Sequence, residues 1–343
     1  MKLTRRGKLL LGLMIAIAVV GAPAVAGVFY LRSIGVFGDS DPGRRIEVEI
    51  PEGATIQQVG EVLEGREVIA SAFGLRIASY LRSGDEVIQA GTYRLRTGLN
   101  ARDALDVLLK GPFYEFVNVT FPEGSWLTDF ARRLGDATHI DGGEFLQLVT
   151  SGTLRSRYQP ERVDTLEGLL FPSTYQVVEE DTAESVATRL VKEFDRRVGE
   201  LDFSTVKGMG ISPYEAIIVA SMIESEAKVP AERAKVAAVI YNRLADGMRL
   251  GIDATVLYAL GEHKEVLTQS DLAIDSPYNT RLHVGLPPTP IGAPGIESLR
   301  AATAPANGDW LYYVLADCDG HHAFSVGYDE FLQNKAKYQA LEC

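Results

Sequence analysis

Two carboxylates stand out among the side chains able to move protons. Glu224 and Glu226 close the run Ala216-Ile217-Ile218-Val219-Ala220-Ser221-Met222-Ile223-Glu224-Ser225-Glu226-Ala227. That run is apolar on nearly every face for two turns, so a helix formed from it must be buried. Positions two apart on a helix differ by about 200° of rotation, so the two carboxylates point to opposite sides and cannot act as one pair. A carboxyl on such a helix must be paired, solvated in a cleft or protonated. Protonation is the chemically useful outcome, because an apolar pocket raises a Glu toward neutrality and fits it for general acid work. Structural pairing of one Glu with Arg233, Arg243 or Arg249 is the alternative, and spacing alone leaves both open.

The elements that must position these groups are legible nearby. Ser212 reads as an N-cap, with Pro213 at the first helical position and Glu215 three residues on, a capping box. A second helix begins at Pro230, runs from Glu232 to Ala245 with Val236, Val239, Ile240 and Leu244 inward, and closes at Gly247; Asn242 and Arg243 lie near its end. Upstream, Ile46-Glu47-Val48-Glu49-Ile50 alternates as a strand with one buried face. Pro51-Glu52-Gly53 then turns into a helix pattern through Ile56, Val59, Val62 and Leu63. The same device returns as Phe116 to Phe121, Pro122-Glu123-Gly124 and a helix through Leu127, Phe130 and Leu134. Both copies continue into a second apolar helix, from Phe73 to Leu81 and from Phe145 to Val149, and a strand and a helix lie between them (86–95, 99–109). The segment TLEGLLFPSTYQV, from Thr165 to Val177, stands at the entrance to a second domain, and 183–199 shows helical periodicity.

Composition bounds the function. The 343 residues carry 34 basic and 46 acidic side chains, a net charge of −12, with 46% hydrophobic residues. This is a folded chain long enough for two or three domains, and its charge excludes a nucleic-acid binder working through overall positive potential. Cys318 and Cys343 are the only cysteines, so neither a disulfide framework nor a Cys-based zinc site is expected; one bridge and two free thiols both remain open. Lys2, Arg5, Arg6 and Lys8 precede an uncharged run from Leu9 to Leu31. As a helix it reaches about 35 Å, enough for a hydrocarbon core of about 30 Å. The basic flank puts residues 1–8 in the cytoplasm and everything past Leu31 outside it. Ala24-Val25-Ala26 also reads as a signal-peptide cleavage site, but the length of the run favours an uncleaved anchor. Residues 32–45, with Gly35, Gly38, Pro42 and Gly43, form a linker.

The downstream segments MRLGIDATVLYALG, DSPYNTRLHVGLPPTPIGAPG and GDWLYYVLADCDGHHAFSVGYDEF, with IIVASMIESEA and VAAVIYNRL, resemble the YceG-like family of endolytic murein transglycosylases, the MltG type. The resemblance runs over nearly the whole chain after residue 8 and is strongest from about 211 to 333. The strand–helix–helix–strand pattern of 46–115 resembles the LysM-like modules of bacterial wall proteins, though a plain structural platform fits it equally. The expected fold class is therefore α+β: a transmembrane helix over 9–31, the linker, a LysM-like α/β module over 46–115, and a catalytic region over 116–343 with a buried central helix. Residues 116–160 would be a second copy of the module or a partial echo of it.

The resemblance implies a site. The first Glu of the family's E-x-E motif is the acid, here Glu224. It implies cleavage of the β-1,4 bond after N-acetylmuramic acid, within a strand and without water, to leave a 1,6-anhydro end. One carboxyl suffices because the sugar's own C6 hydroxyl attacks, whereas a water-using glycosidase normally needs two. Matching positions implied for substrate binding are Glu226, Asn242, Arg243, Asp253, Thr255, Tyr258, Tyr278, Asn279, Thr280 and His322. For His322 a hydrogen-bonding role is expected rather than metal binding, and neither metal nor cofactor is expected. Gly251, Ile252, Thr289 and Ala293 depart from the family's usual residues. The implied partners are peptidoglycan glycan strands and wall synthases whose nascent strands it would terminate, with the N-terminal helix in the inner membrane. A wall-binding scaffold without catalysis is the competing reading. A cytoplasmic lyase of the aminodeoxychorismate type conflicts with the anchor, and no pyridoxal phosphate motif is evident.

Overall fold

The computed structural model describes residues 14, 21–82, 87–264 and 266–341. They fall into two compact units, 1–115 and 116–343. The first part of the span expected over Leu9–Leu31, residues 9–13 and 15–20, lies outside the described residues; its described end runs into a 12-residue helix, α1 (Ala22–Ser33). Among the described residues no helix is long and apolar enough to cross a membrane.

The first unit continues with β1 (Arg45–Ile50), α2 (Ile56–Gly65), α3 (Ala72–Arg82), β2 (Gly91–Arg96) and α4 (Ala101–Leu108). β1 and β2 pair antiparallel with Val48 opposite Tyr93. The alternation of β1 sends Val48 and Ile50 inward while Glu47 and Glu49 face water. Val59 and Leu63 of α2, Leu75 of α3 and Leu105 and Leu108 of α4, each at most 1% exposed, join Val48 and Ile50 in one core.

The second unit opens with the same order: β3 (Phe116–Thr120), α5 (Leu127–Ala137), α6 (Gly142–Thr150) and β4 (Thr174–Val178). β3 and β4 pair antiparallel, Val119 opposite Tyr175. The pairing carries this βααβ unit beyond residue 160 and makes the 165–177 segment its closing arm. Phe121 stacks on Phe130 at 4.5 Å. In both units the Pro-Glu-Gly turn needs its glycine, since Gly53 and Gly124 have φ of +71° and +76°.

Then follow α7 (Ala183–Gly199), α8 (Ser204–Gly208) and α9 (Pro213–Glu226). A 3₁₀ turn (Pro230–Glu232) leads into α10 (Arg233–Ala245), succeeded by α11 (Asp253–Leu260) and α12 (Gln269–Leu272). α13 (Ile296–Thr303), β5 (Tyr312–Leu315), β6 (His322–Ser325) and α14 (Tyr328–Gln339) complete the mixed α+β architecture. β5 and β6 form a hairpin, and Cys318 between them is disulfide-bonded.

α9 is the central helix. Ser212 Oγ accepts the Glu215 N–H and Glu215 Oε2 accepts the Ser212 N–H, so the capping box forms. Tyr214 and every residue from Ala216 to Ile223 are buried, and α9 packs against α10 and α13. Each Ile, Val or Met enclosed there contributes about 1.5–3 kcal/mol relative to exposure. That enclosure fixes the helix end from which Glu224 and Glu226 project.

Candidate active site

The two carboxylates do point to opposite sides. Glu224, its side chain 9% exposed, accepts the Gly295 N–H at Oε2 (2.9 Å), and its Oε1 lies 3.5 Å from Arg233 Nη2. Glu226 accepts the Tyr313 hydroxyl at 2.8 Å. Its carboxyl is raised by desolvation, against the pull of that hydroxyl. Of the two surroundings that spacing leaves open for Glu224, an apolar pocket or an arginine partner, the structure has the second, with Arg233 as the arginine and a peptide N–H beside it. The end of α9 meets chain from two other places, the start of α10 and the loop before α13.

That loop, 285–295, contains the Gly-Leu-Pro-Pro run and is fastened along α9. Ser221, one turn before Glu224 on the same face, accepts the Ile291 N–H at 3.1 Å. Ala293 exchanges backbone hydrogen bonds with the turn before α5: Gly124 N–H donates to its carbonyl at 2.7 Å, and its own N–H donates to Ser125 at 2.9 Å. A Cβ at Gly124 would sit 4.0 Å from Glu224 Cγ. The Pro-Glu-Gly turn of the second βααβ unit therefore forms one wall beside the carboxyl.

The other positions implied by the resemblance divide by what occupies their polar atoms. Asn242 donates to the Gly308 and Trp310 carbonyls, and Arg243 to those of Leu311 and Leu250, so both hold the approach to β5. Thr255 and Thr280 are buried and share a hydroxyl–hydroxyl bond of 2.9 Å, with Thr280 Oγ1 accepting the Ile252 N–H. Asn279, also buried, donates to the Leu272 and Ile274 carbonyls. Asp253 pairs with Arg281 at 2.5 Å. His322 Nδ1 lies 2.8 Å from Glu232 Oε2, and its ring meets Tyr313 edge-on at 5.3 Å. It joins Glu232 to the Tyr313–Glu226 pair, and among the described residues no metal-holding cluster of His, Cys, Asp or Glu occurs. Tyr258 and Tyr278 pack ring to ring at 4.9 Å, and Trp126 meets Tyr258 edge-on at 5.5 Å.

Glu167 is a functional candidate that sequence reasoning passed over. It is 5% exposed, and its Oε2 accepts the Leu127 N–H (3.3 Å) and the Tyr258 hydroxyl (3.2 Å). Its Oε1 is buried without a hydrogen-bond partner among the described residues. Desolvation pushes the carboxyl up to about 7 against those donors. The available signal was an acid inside Leu166, Leu169 and Leu170, all fully buried. Between about pH 4.5 and 7 the native chain holds this proton while the unfolded chain has lost it. Stability is therefore full below the lower value and falls as pH rises through the upper. The loss is about 3 kcal/mol in all. Glu167→Gln is expected to remove that decline, which urea titrations at pH 5 and pH 8 would read as a stability difference smaller than that of the parent.

The model of the YceG-like family matches residues 48–337. The chain belongs to the YceG-like family. An endolytic murein transglycosylase of Bacillus subtilis is 32% identical over 330 residues, covering 92% of this chain and 91% of that relative. One of Streptococcus pneumoniae is 27% identical over 334 residues and covers 88% of this chain, which spans 59% of the streptococcal protein. The crystal structure of a yceG-like protein from Listeria monocytogenes superimposes with a TM-score of 0.55 at 31% identity, covering 86% of this chain and all of that one.

Proposed function

We propose that this YceG-like protein is an endolytic murein transglycosylase in which Glu224 is the acid and base. The supporting observation is a carboxyl fixed at the end of the buried α9, with one oxygen held by the Gly295 N–H and the other facing Arg233. Glu224 gives its proton to the glycosidic oxygen as the C1–O bond breaks, and takes one back from the C6 hydroxyl as that oxygen bonds to C1. The protein ends as it began and the glycan gains a 1,6-anhydro ring. Trp126, Tyr258 and Tyr278 supply aromatic faces for sugar rings. Glu226, held by Tyr313 and neighbouring His322, supports the site from the other side of α9. In the same reading the segment 9–31 anchors the chain in the inner membrane, 46–115 is a LysM-like wall-contacting module, and residues beyond 31 work on nascent strands outside the cytoplasm.

The test is product analysis. Purified sacculi incubated with the protein are expected to release fragments ending in anhydro-muramic residues, identified by mass spectrometry. No release at all would leave a wall-binding scaffold as the correct reading, and reducing ends would make the protein a hydrolase rather than a transglycosylase. Glu226→Gln is expected to slow release less than Glu224→Gln, because Glu226 already accepts a protein hydroxyl. A reversed ranking in the same assay would show that the acid is Glu226.

A further inference from the structure

A second acid flanks Glu224. Glu123, in the Pro-Glu-Gly turn before α5, lies against Gly295, the residue whose N–H binds Glu224; a Cβ on Gly295 would overlap Glu123 Oε1. Arg233 faces Glu224 at 3.5 Å and also acts on Glu123, so one guanidinium serves two carboxylates. Its Nε is buried with no hydrogen-bond partner among the described residues. The remaining charged neighbour is Glu297 on α13, which is bound in turn by Arg300 at 2.6 Å.

These contacts set a problem for the chemistry proposed above. An acid that works alone must reach the glycosidic oxygen protonated, yet a guanidinium and a peptide N–H both favour the carboxylate. A like charge nearby opposes them. We propose that Glu123 is a positioning residue whose negative charge offsets that of Arg233 and so keeps Glu224 able to hold the proton it donates. The inference rests on Glu224 being the acid of the transglycosylase reading. The electrostatics agree in sign: the Glu123 carboxyl is raised first by desolvation and then by Glu224, while Arg233 lowers it.

The test is the pH dependence of anhydro-end release from sacculi by the full chain, for the parent, Glu123→Gln and Glu123→Asp. Glu123→Gln keeps the shape of the side chain and removes its charge. Its alkaline limb is expected to move down by about 0.5–1 pH unit, since the rim of the site is partly screened by solvent. Glu123→Asp keeps the charge and is expected to keep the parental limb. A fall in rate with an unmoved limb, or a limb moved upward, would overturn the proposal and leave Glu123 a packing residue. If the parent yields no anhydro ends, the functional reading fails instead.

Discussion

Glu224→Gln is expected to abolish release of anhydro-ended fragments while leaving the protein folded. The loss should reach at least about 10³-fold, because one group performs both proton transfers and each is worth about 10²–10⁴. The amide oxygen of Gln still accepts the Gly295 N–H, so the loop along α9 keeps its fastening. Arg233 loses its partner at 3.5 Å but retains Glu123 as a neighbouring carboxylate, so the buried guanidinium is not left without a counter-charge. Circular dichroism melting beside the sacculus assay separates the two effects. Activity that survives in a folded variant would remove Glu224 from the mechanism.

What the residues disclosed in advance, and what they did not, follows the range of the interactions concerned. α9 was readable because its capping box, its Pro213 and its unbroken apolar run are all local in sequence. The divergence of Glu224 and Glu226 followed from helix geometry alone. The surroundings of Glu224 followed only in part: Arg233 is among the arginines that spacing leaves open as partners, whereas Gly295 reaches it from 71 residues away. The same limit hid β4. Thr174–Val178 reads as the end of an aromatic, Pro-containing segment at a domain entrance until β3 pairs with it and closes a second βααβ unit. Thr255 and Thr280 were singled out as polar groups for sugar, yet their hydroxyls satisfy each other inside the fold, where an unpaired hydroxyl would be penalised. Glu167 was missed for the converse reason. Nothing in Leu-Glu-Gly announces that Leu127 and Tyr258 will supply its donors.

Gly168→Ala tests whether the loop along α9 is held from behind, and it should be the most damaging single methyl addition near the site. Gly168 follows the buried Glu167 and has a φ of +70°, which disfavours any L side chain by about 1–2 kcal/mol. A Cβ there would also overlap Pro290 Cβ and come within 2.9 Å of the Gly292 carbonyl oxygen. Neither neighbour is the free end of a flexible chain, so overpacking adds about 1–3 kcal/mol. Gly210→Ala supplies the control, because Gly210 has a φ of +81° with nothing within 4 Å of its would-be Cβ. Urea unfolding should therefore show Gly168→Ala less stable than Gly210→Ala by about the overpacking contribution alone. Relief of the overlap pushes Pro290 and Gly292 along the loop that presents the Gly295 N–H to Glu224. The release rate is therefore expected to fall in the Gly168 variant under conditions where it is still folded, and to stay at the parental level in the Gly210 variant. Equal stability losses, or equal rates, would mean that the loop is positioned by its α9 contacts and not by Gly168.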